Sequence, residues 1–414
     1  MRYLLLFLIG WLGVNRPAMS QAPEAENGTL DARTWNFAAR PLPLNGTWQW
    51  YDYELLSPLD TEQSVGQKVA FPKVWNDVRP YGGGDGFATY TLTVLLPPEP
   101  QQYALDLPMF YCSYRLFLNG QLLASNGTPG QTRETTVPQW RPQVAAFTAG
   151  GHVKLVLQIS NFYHFKGGTK DVVYLGEKNM LEKKVMIARS AVIVQFVLMM
   201  LLGAVSIWVF FSRQRKRVAL WFAALAFTWG IRAVFSNRYV AIHFFPDFDW
   251  TWAVRIEYLT IYLMVIVAIL YISKLFKEEV NAFLGVGLIV LNLTFVAFTL
   301  FTAPLDFTRW LGVYLSVAAI MLLYMGIVVV RALINDRIGS GFLSVSLLLG
   351  VLLFAYDIVT YEGLFAYHDL IFSVGYTVLF ILVGFGLLVH LRIMKSKARP
   401  AGKLTYSDLY RDDD

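Results

Sequence analysis

Cysteine is almost absent from this chain. Cys112 is the only one in 414 residues, so no intramolecular disulfide can form and no site of paired thiolates is available. Charge is scarce as well: Asp, Glu, Lys and Arg make up 15% of the chain against 56% hydrophobic residues, too apolar for an ordinary soluble domain. The five histidines, at 152, 164, 243, 368 and 390, are scattered and form no HExxH-type metal pair, so no metal or other cofactor is expected. The last long apolar run has no lysine, which excludes the Schiff base of a retinal protein. No pair of carboxylates stands out for sugar hydrolysis, and no Gly-rich nucleotide loop follows the apolar runs. The chain is therefore not expected to be an enzyme.

What the chain does have is seven long apolar runs in its second half: Val185–Phe211, Val218–Val240, Trp250–Phe276, Phe283–Ala303, Trp310–Val330, Phe342–Thr360 and Leu370–Leu391. Each is near the roughly 20 residues that a helix needs to cross about 30 Å of hydrocarbon. Composition breaks near Lys184, where turn-rich, alternating sequence gives way to these runs. The expected organisation is a signal peptide over 1–20, a β-sandwich over 21–184, a seven-span helical domain over 185–391 and a short cytoplasmic tail over 392–414. The signal rests on Arg2, the apolar stretch Tyr3–Val14 and small residues around Ala18–Ala22; an uncleaved anchor is the alternative.

Basic residues set the orientation. Arg213, Arg215, Lys216 and Arg217 follow the first run, Lys274 and Lys277 the third, Arg331 and Arg337 the fifth, and Arg392, Lys395, Lys397, Arg399 and Lys403 the last. The alternate loops carry only Arg238 and Arg309. Positive charge accumulates on the cytoplasmic side, so the tail is expected inside and the first domain outside. The net charge of +6 thus serves topology and lipid contact, and does not suggest nucleic-acid binding. Phe244, Phe245, Trp250, Trp252, Trp310 and Tyr361 are expected as interfacial anchors.

The first domain reads as all-β. Ala88–Leu96 alternates and is stopped by Pro97-Pro98, Asn119-Gly120 marks a hairpin within SYRLFLNGQLLAS, His152–Phe162 reads as a core strand and Asp171–Gly176 as the last strand. The Asn-Gly-Thr triplets at Asn27, Asn45 and Asn126 read as turns, as does Gly82–Gly86. Taken in order, LNGTWQWYDYELLSP, FPKVWN, GFATYTLTV, YRLFLNGQLLASNG and ISNFYHFKGGTKDVVYLG resemble the second-type extracellular domain of the bacterial seven-transmembrane receptors with diverse intracellular signalling modules. The resemblance covers about Leu44–Gly176, and the seven runs continue the same layout. It implies a jelly-roll sandwich related to carbohydrate-binding modules, and a receptor whose cytoplasmic end is usually a kinase, cyclase or phosphatase module. Here the tail is too short for one, so the effector is expected to be a separate cytoplasmic signalling protein.

Two segments combine aromatic, amide and charged groups as a saccharide site would: Trp75, Asn76 and Asp77, and Asn161, Tyr163, His164 and Lys166. The structural alternatives are that Trp75 is core and that Asn161 pins a loop. Within the runs, Arg232, Arg255, Glu257 and Asp357 are costly in lipid and suggest a polar cluster at the outer mouth, or side chains snorkelling to the interface. Arg255 and Glu257 are two apart on a helix and cannot share a face, so one would pair with Arg232 and the other with Asp357. The function expected is a receptor for an extracytoplasmic small molecule or saccharide. A transporter or an assembly adaptor is the alternative, although no internal repeat and no proline-broken span supports transport.

Overall fold

The computed structural model describes residues 22–79, 83–212, 216–361 and 368–397. The expected signal segment, Gly82 and most of the tail lie outside the described residues. Among the described residues, eleven strands build the first domain: β1 (Thr29–Asp31), β2 (Leu42–Pro43), β3 (Gly46–Asp52), β4 (Gln67–Phe71), β5 (Gly86–Leu95), β6 (Gln101–Leu107), β7 (Ser113–Leu118), β8 (Gln121–Asn126), β9 (Gln143–Ala149), β10 (His152–Asn161) and β11 (Tyr174–Glu177). One sheet runs β4-β3-β5-β10-β7-β8 with β1 parallel to the end of β5, and the other runs β2-β11-β6-β9. Every other named pairing is antiparallel.

The alternation that marks β5 in sequence fills the space between the sheets. Ala88, Tyr90, Leu92 and Val94 point inward with Leu155, Leu157 and Ile159 of β10, and meet Tyr103, Leu105 and Leu175 of the second sheet. The other face of the first sheet is covered too, which is why its polar positions are buried. Thr89 Oγ1 accepts from Leu56 N–H at 2.9 Å, Gln158 Nε2 donates to Leu56 O at 2.8 Å, and Ser160 Oγ donates to Gly130 O at 2.7 Å. The β7–β8 hairpin turns on Asn119 and Gly120 at φ 48° and 85°, the left-handed pair a two-residue turn requires.

Helices follow without a linker: α1 (Lys178–Ser212), α2 (Arg217–Phe235), α3 (Val240–Phe244), α4 (Trp250–Leu275), α5 (Ala282–Phe301), α6 (Pro304–Arg309), α7 (Leu311–Ile334), α8 (Ser340–Tyr361) and α9 (Asp369–Lys397). Seven of the described helices are long and apolar enough to cross a membrane, and they correspond to the seven runs. Two boundaries differ from the sequence reading. The first helix begins at Lys178 directly after β11, seven residues before Val185. The second run is not one helix: α2 stops at Phe235, Asn237 and Tyr239 take left-handed φ of 56° and 45°, and Val240–Phe244 forms a separate short turn of helix.

The start of α1 packs against β6, β9 and β11. A shared apolar cluster joins Met109, Tyr111 and Trp140 of the β domain to Tyr239, Trp250, Val254, Tyr258 and Phe307. Trp250, expected as a membrane anchor, is buried in this cluster, 5.3 Å from the Trp140 ring, whereas Phe244, Phe245, Trp252 and Trp310 are exposed.

Candidate functional site: a cavity between the two domains

The loop from Asn161 to Thr169 is held by amides. The Asn161 Nδ2 faces the carbonyls of Gly84, His164 and Lys166 at 2.7, 2.7 and 3.0 Å, and its Oδ1 accepts from Tyr163 N–H and His164 N–H. The thiol of Cys112 lies 2.8 Å from the same Oδ1 and is pushed well above its ordinary pKa by burial, so it behaves as a small buried group. Asn76 holds the loop from the other side, donating to Phe165 O at 3.0 Å and accepting from Gly167 N–H at 3.2 Å. Trp75 is fully buried, donates to Tyr90 Oη at 2.7 Å and receives the Arg79 guanidinium 4.1 Å from its ring. The two segments singled out in the sequence are therefore knitted into one wall.

That wall faces the membrane helices across a cavity of about 1060 Å³. Asn76, His164 and Lys166 line it, while Trp75 and Asn161 stand behind as support. Tyr163 lies elsewhere: its hydroxyl donates to Arg133 O at 2.9 Å, its ring packs 6.0 Å from Trp250, and it borders a second hollow beside Pro246–Thr251. His164 stacks on Tyr111 at 4.6 Å, and burial pushes its pKa down to about 3, so the ring is neutral.

The floor of the cavity reaches into the helices. Arg232 of α2, Glu257 of α4 and Asp357 of α8 line it together. Arg232 donates to the Glu257 carbonyl at 3.0 Å, and Tyr239 Oη donates to the Glu257 carboxylate at 2.7 Å. The charge of Lys170, on the β-domain loop, acts on both Glu257 and Asp357. Arg255 is set apart from these three. Its guanidinium donates to Thr302 O at 2.9 Å and lies over Trp252, because the two-residue offset from Glu257 turns it to the side of α4 that meets the end of α5. Arg189 is engaged by the β domain, donating to Pro142 O at 3.1 Å.

The residue that joins these parts is Arg238, read in the sequence only as a loop charge. Its Nη1 meets Asp106 Oδ1 of β6 at 3.1 Å, and its Nη2 meets Asp369 Oδ2, at the first residue of α9, at 3.1 Å. Its Nε donates to Asp369 as well, at 3.2 Å. All three side chains are at least four-fifths buried and line the cavity. Burial works against the Arg238 charge, but the two carboxylates outweigh it and hold the guanidinium above its ordinary pKa. One fork-shaped donor thus clasps a strand of the β domain to the last helix. Its partners lie 132 and 131 residues away, so no local spacing could reveal it. Trp140, also passed over in the sequence, packs within 5.5 Å of His164, Tyr239 and Trp250 and is the main aromatic contact between the domains.

A two-sheet β domain seated on seven long apolar helices, with a cavity lined by both, defines a multi-pass membrane protein. Residues 191–391 match the family described as 7TM diverse intracellular signalling. No curated protein matches the chain. Among solved structures, part of it is similar to a beta-glucuronidase from an uncultured Clostridium sp., at 14% identity over 34% of this chain and 29% of that one, with a TM-score of 0.26. It is similar to the same extent to a GH2 beta-galacturonidase from Eisenbergiella tayi bound to galacturonate, at 13% identity over 35% of this chain and 26% of that one, with a TM-score of 0.25. The chain spans less than a third of either protein, and a likeness this low bears on neither ligand nor activity.

Proposed function

We propose that this protein is a transmembrane receptor in which a small molecule, carbohydrate-like in its hydroxyls, enters the cavity between the β domain and the helices. The observation that carries the reading is that both domains wall the same cavity and that Arg238 ties strand β6 to the last helix through it. A ligand there has differential contact with two bodies, which is what a signal requires. Asn76, His164 and Lys166 supply amide, ring and amine on one side, and Arg232, Glu257 and Asp357 supply charge on the other.

We place the β domain outside and the far ends of the helices in the cytoplasm, on the alternation of basic residues between loops. The signal then leaves at the far end of α9. There His390 Nδ1 lies 3.3 Å from Ile338 O, and Arg337 of the same loop bonds Glu279 at 2.8 Å. A separate cytoplasmic signalling protein reads that surface, and the chain itself catalyses nothing.

Proteoliposomes holding the purified full-length protein test this reading. Metabolites found to bind by thermal stabilisation are added outside, and hydrogen exchange is followed in the loops 276–281 and 335–339. A receptor changes exchange in those loops without net uptake. Net uptake of the bound compound identifies a transporter instead, and binding that leaves the loops unchanged contradicts the receptor.

A further inference from the structure

We infer that the ligand of this cavity is an anion, carrying a carboxylate or a phosphate, and that it takes Arg238 from Asp369. This rests on the reading of the cavity as the ligand site and adds the chemistry of what it receives.

The two carboxylates on Arg238 are not equivalent. Asp106 is the next-to-last residue of β6 and is fixed between β11 and β9, with its backbone in register with Tyr174 and Val144. It cannot leave without opening the second sheet. Asp369 is the first residue of α9, next to the exposed His368, and no strand pairing holds its backbone. Released from Arg238, it stays at a helix N-terminus, where the helix dipole and water both favour its charge. It is the partner able to move.

The requirement for an anion follows from the cost of exchange. Removing one carboxylate from a buried guanidinium without replacing it is strongly unfavourable. A neutral polyol offers Arg238 only weak acceptors in return. A ligand carboxylate or phosphate offers the same bidentate acceptor that Asp369 gave up, so the charge on Arg238 stays matched while α9 is freed. The exchange also explains how occupancy becomes movement: the anion binds the released state better than the clasped state, which is the differential affinity that shifts a two-state equilibrium. Lys170 and Arg232, on the same cavity, would face the remainder of the ligand.

The test uses the purified full chain with glucuronate, inorganic phosphate and glucose as probes, at matched ionic strength in sodium chloride. Asp369→Asn leaves half of the Arg238 fork open. It is expected to be stabilised by glucuronate or phosphate at concentrations at least ten-fold lower than the wild type requires, with no such gain for glucose and none when Arg238→Gln is added. In the wild-type protein, which removes any doubt about folding of the variant, saturating anion is expected to raise hydrogen exchange over residues 369–376 while β6 stays protected. Equal effects of glucose and the anions, no gain in Asp369→Asn, or unmoved exchange at the start of α9 each overturn the inference. A carboxylate source is distinguished from a phosphate source by which probe gives the larger gain. These outcomes are read at Arg238 and α9, whereas the receptor reading fails at the far loops or by net uptake.

Discussion

The hydroxyl of Tyr239 donates to the Glu257 carboxylate over 2.7 Å while the same ring packs 5.2 Å from Trp140. One side chain therefore touches the floor of the cavity and the β domain at once. It sits in the left-handed region at φ 45°, in the break between α2 and α3, one residue after Arg238. The break in the second apolar run is what delivers both residues to the cavity. Tyr239→Phe keeps the ring contact and removes the donor. It should cost about 1–3 kcal/mol, the penalty for an unsatisfied buried acceptor, measured by thermal unfolding of the purified protein.

Trp140→Ala should separate the domains without unfolding either. Loss of a large buried aromatic costs about 3–5 kcal/mol. Here the lost contacts are to His164, Tyr239 and Trp250, so the loss should appear as proteolytic access between the β domain and the helices. Retained sheet protection in hydrogen exchange, alongside that access, is the expected pattern.

Arg79 and Asp52 form a buried pair at 2.5 Å, with Arg79 also stacked over Trp75 and Tyr53. Arg79→Met leaves Asp52 without its charge partner and should destabilise the β domain by about 3–5 kcal/mol. The double variant with Asp52→Asn should recover a large part of that loss in chemical denaturation.

His164 makes stability depend on pH. Burial pushes its pKa from 6.5 in the unfolded chain to about 3 in the folded one. The unfolded state therefore takes up the proton first as pH falls. The contribution of the neutral, buried ring is complete above pH 6.5 and is lost progressively as pH drops from 6.5 toward 3. The slope in that window is at most about 1.4 kcal/mol per pH unit from this one group. His164→Gln should flatten it, seen as a smaller change in unfolding temperature between neutral and acid buffer.

Much of this architecture was legible in the residues. Periodicity of two placed β5 and β10 within a residue or two, since Ala88–Leu96 and His152–Phe162 correspond to Gly86–Leu95 and His152–Asn161. Apolar length placed the seven helices, because a run that must face lipid has no polar side to interrupt it. Trp75 and Asn161 show why the candidate site was harder. The same residue types that recognise sugars also hold loops and fill cores, and only the fold shows these two supporting the wall rather than facing the cavity. Arg238 was hidden for a different reason. Its meaning lies in two carboxylates brought to it by tertiary structure, and a charge in a loop looks the same with or without them.

The most direct test of the account is hydrogen exchange at the start of α9 in Asp106→Asn. Asp106 belongs to β6 and reaches α9 through Arg238, which bonds both carboxylates. If Arg238 carries the coupling, loosening it from the strand should raise exchange over residues 369–376 by about ten-fold or more, as expected when a buried charge pair is broken. Exchange at α9 indistinguishable from wild type, in a variant whose sheets remain protected, would contradict the account.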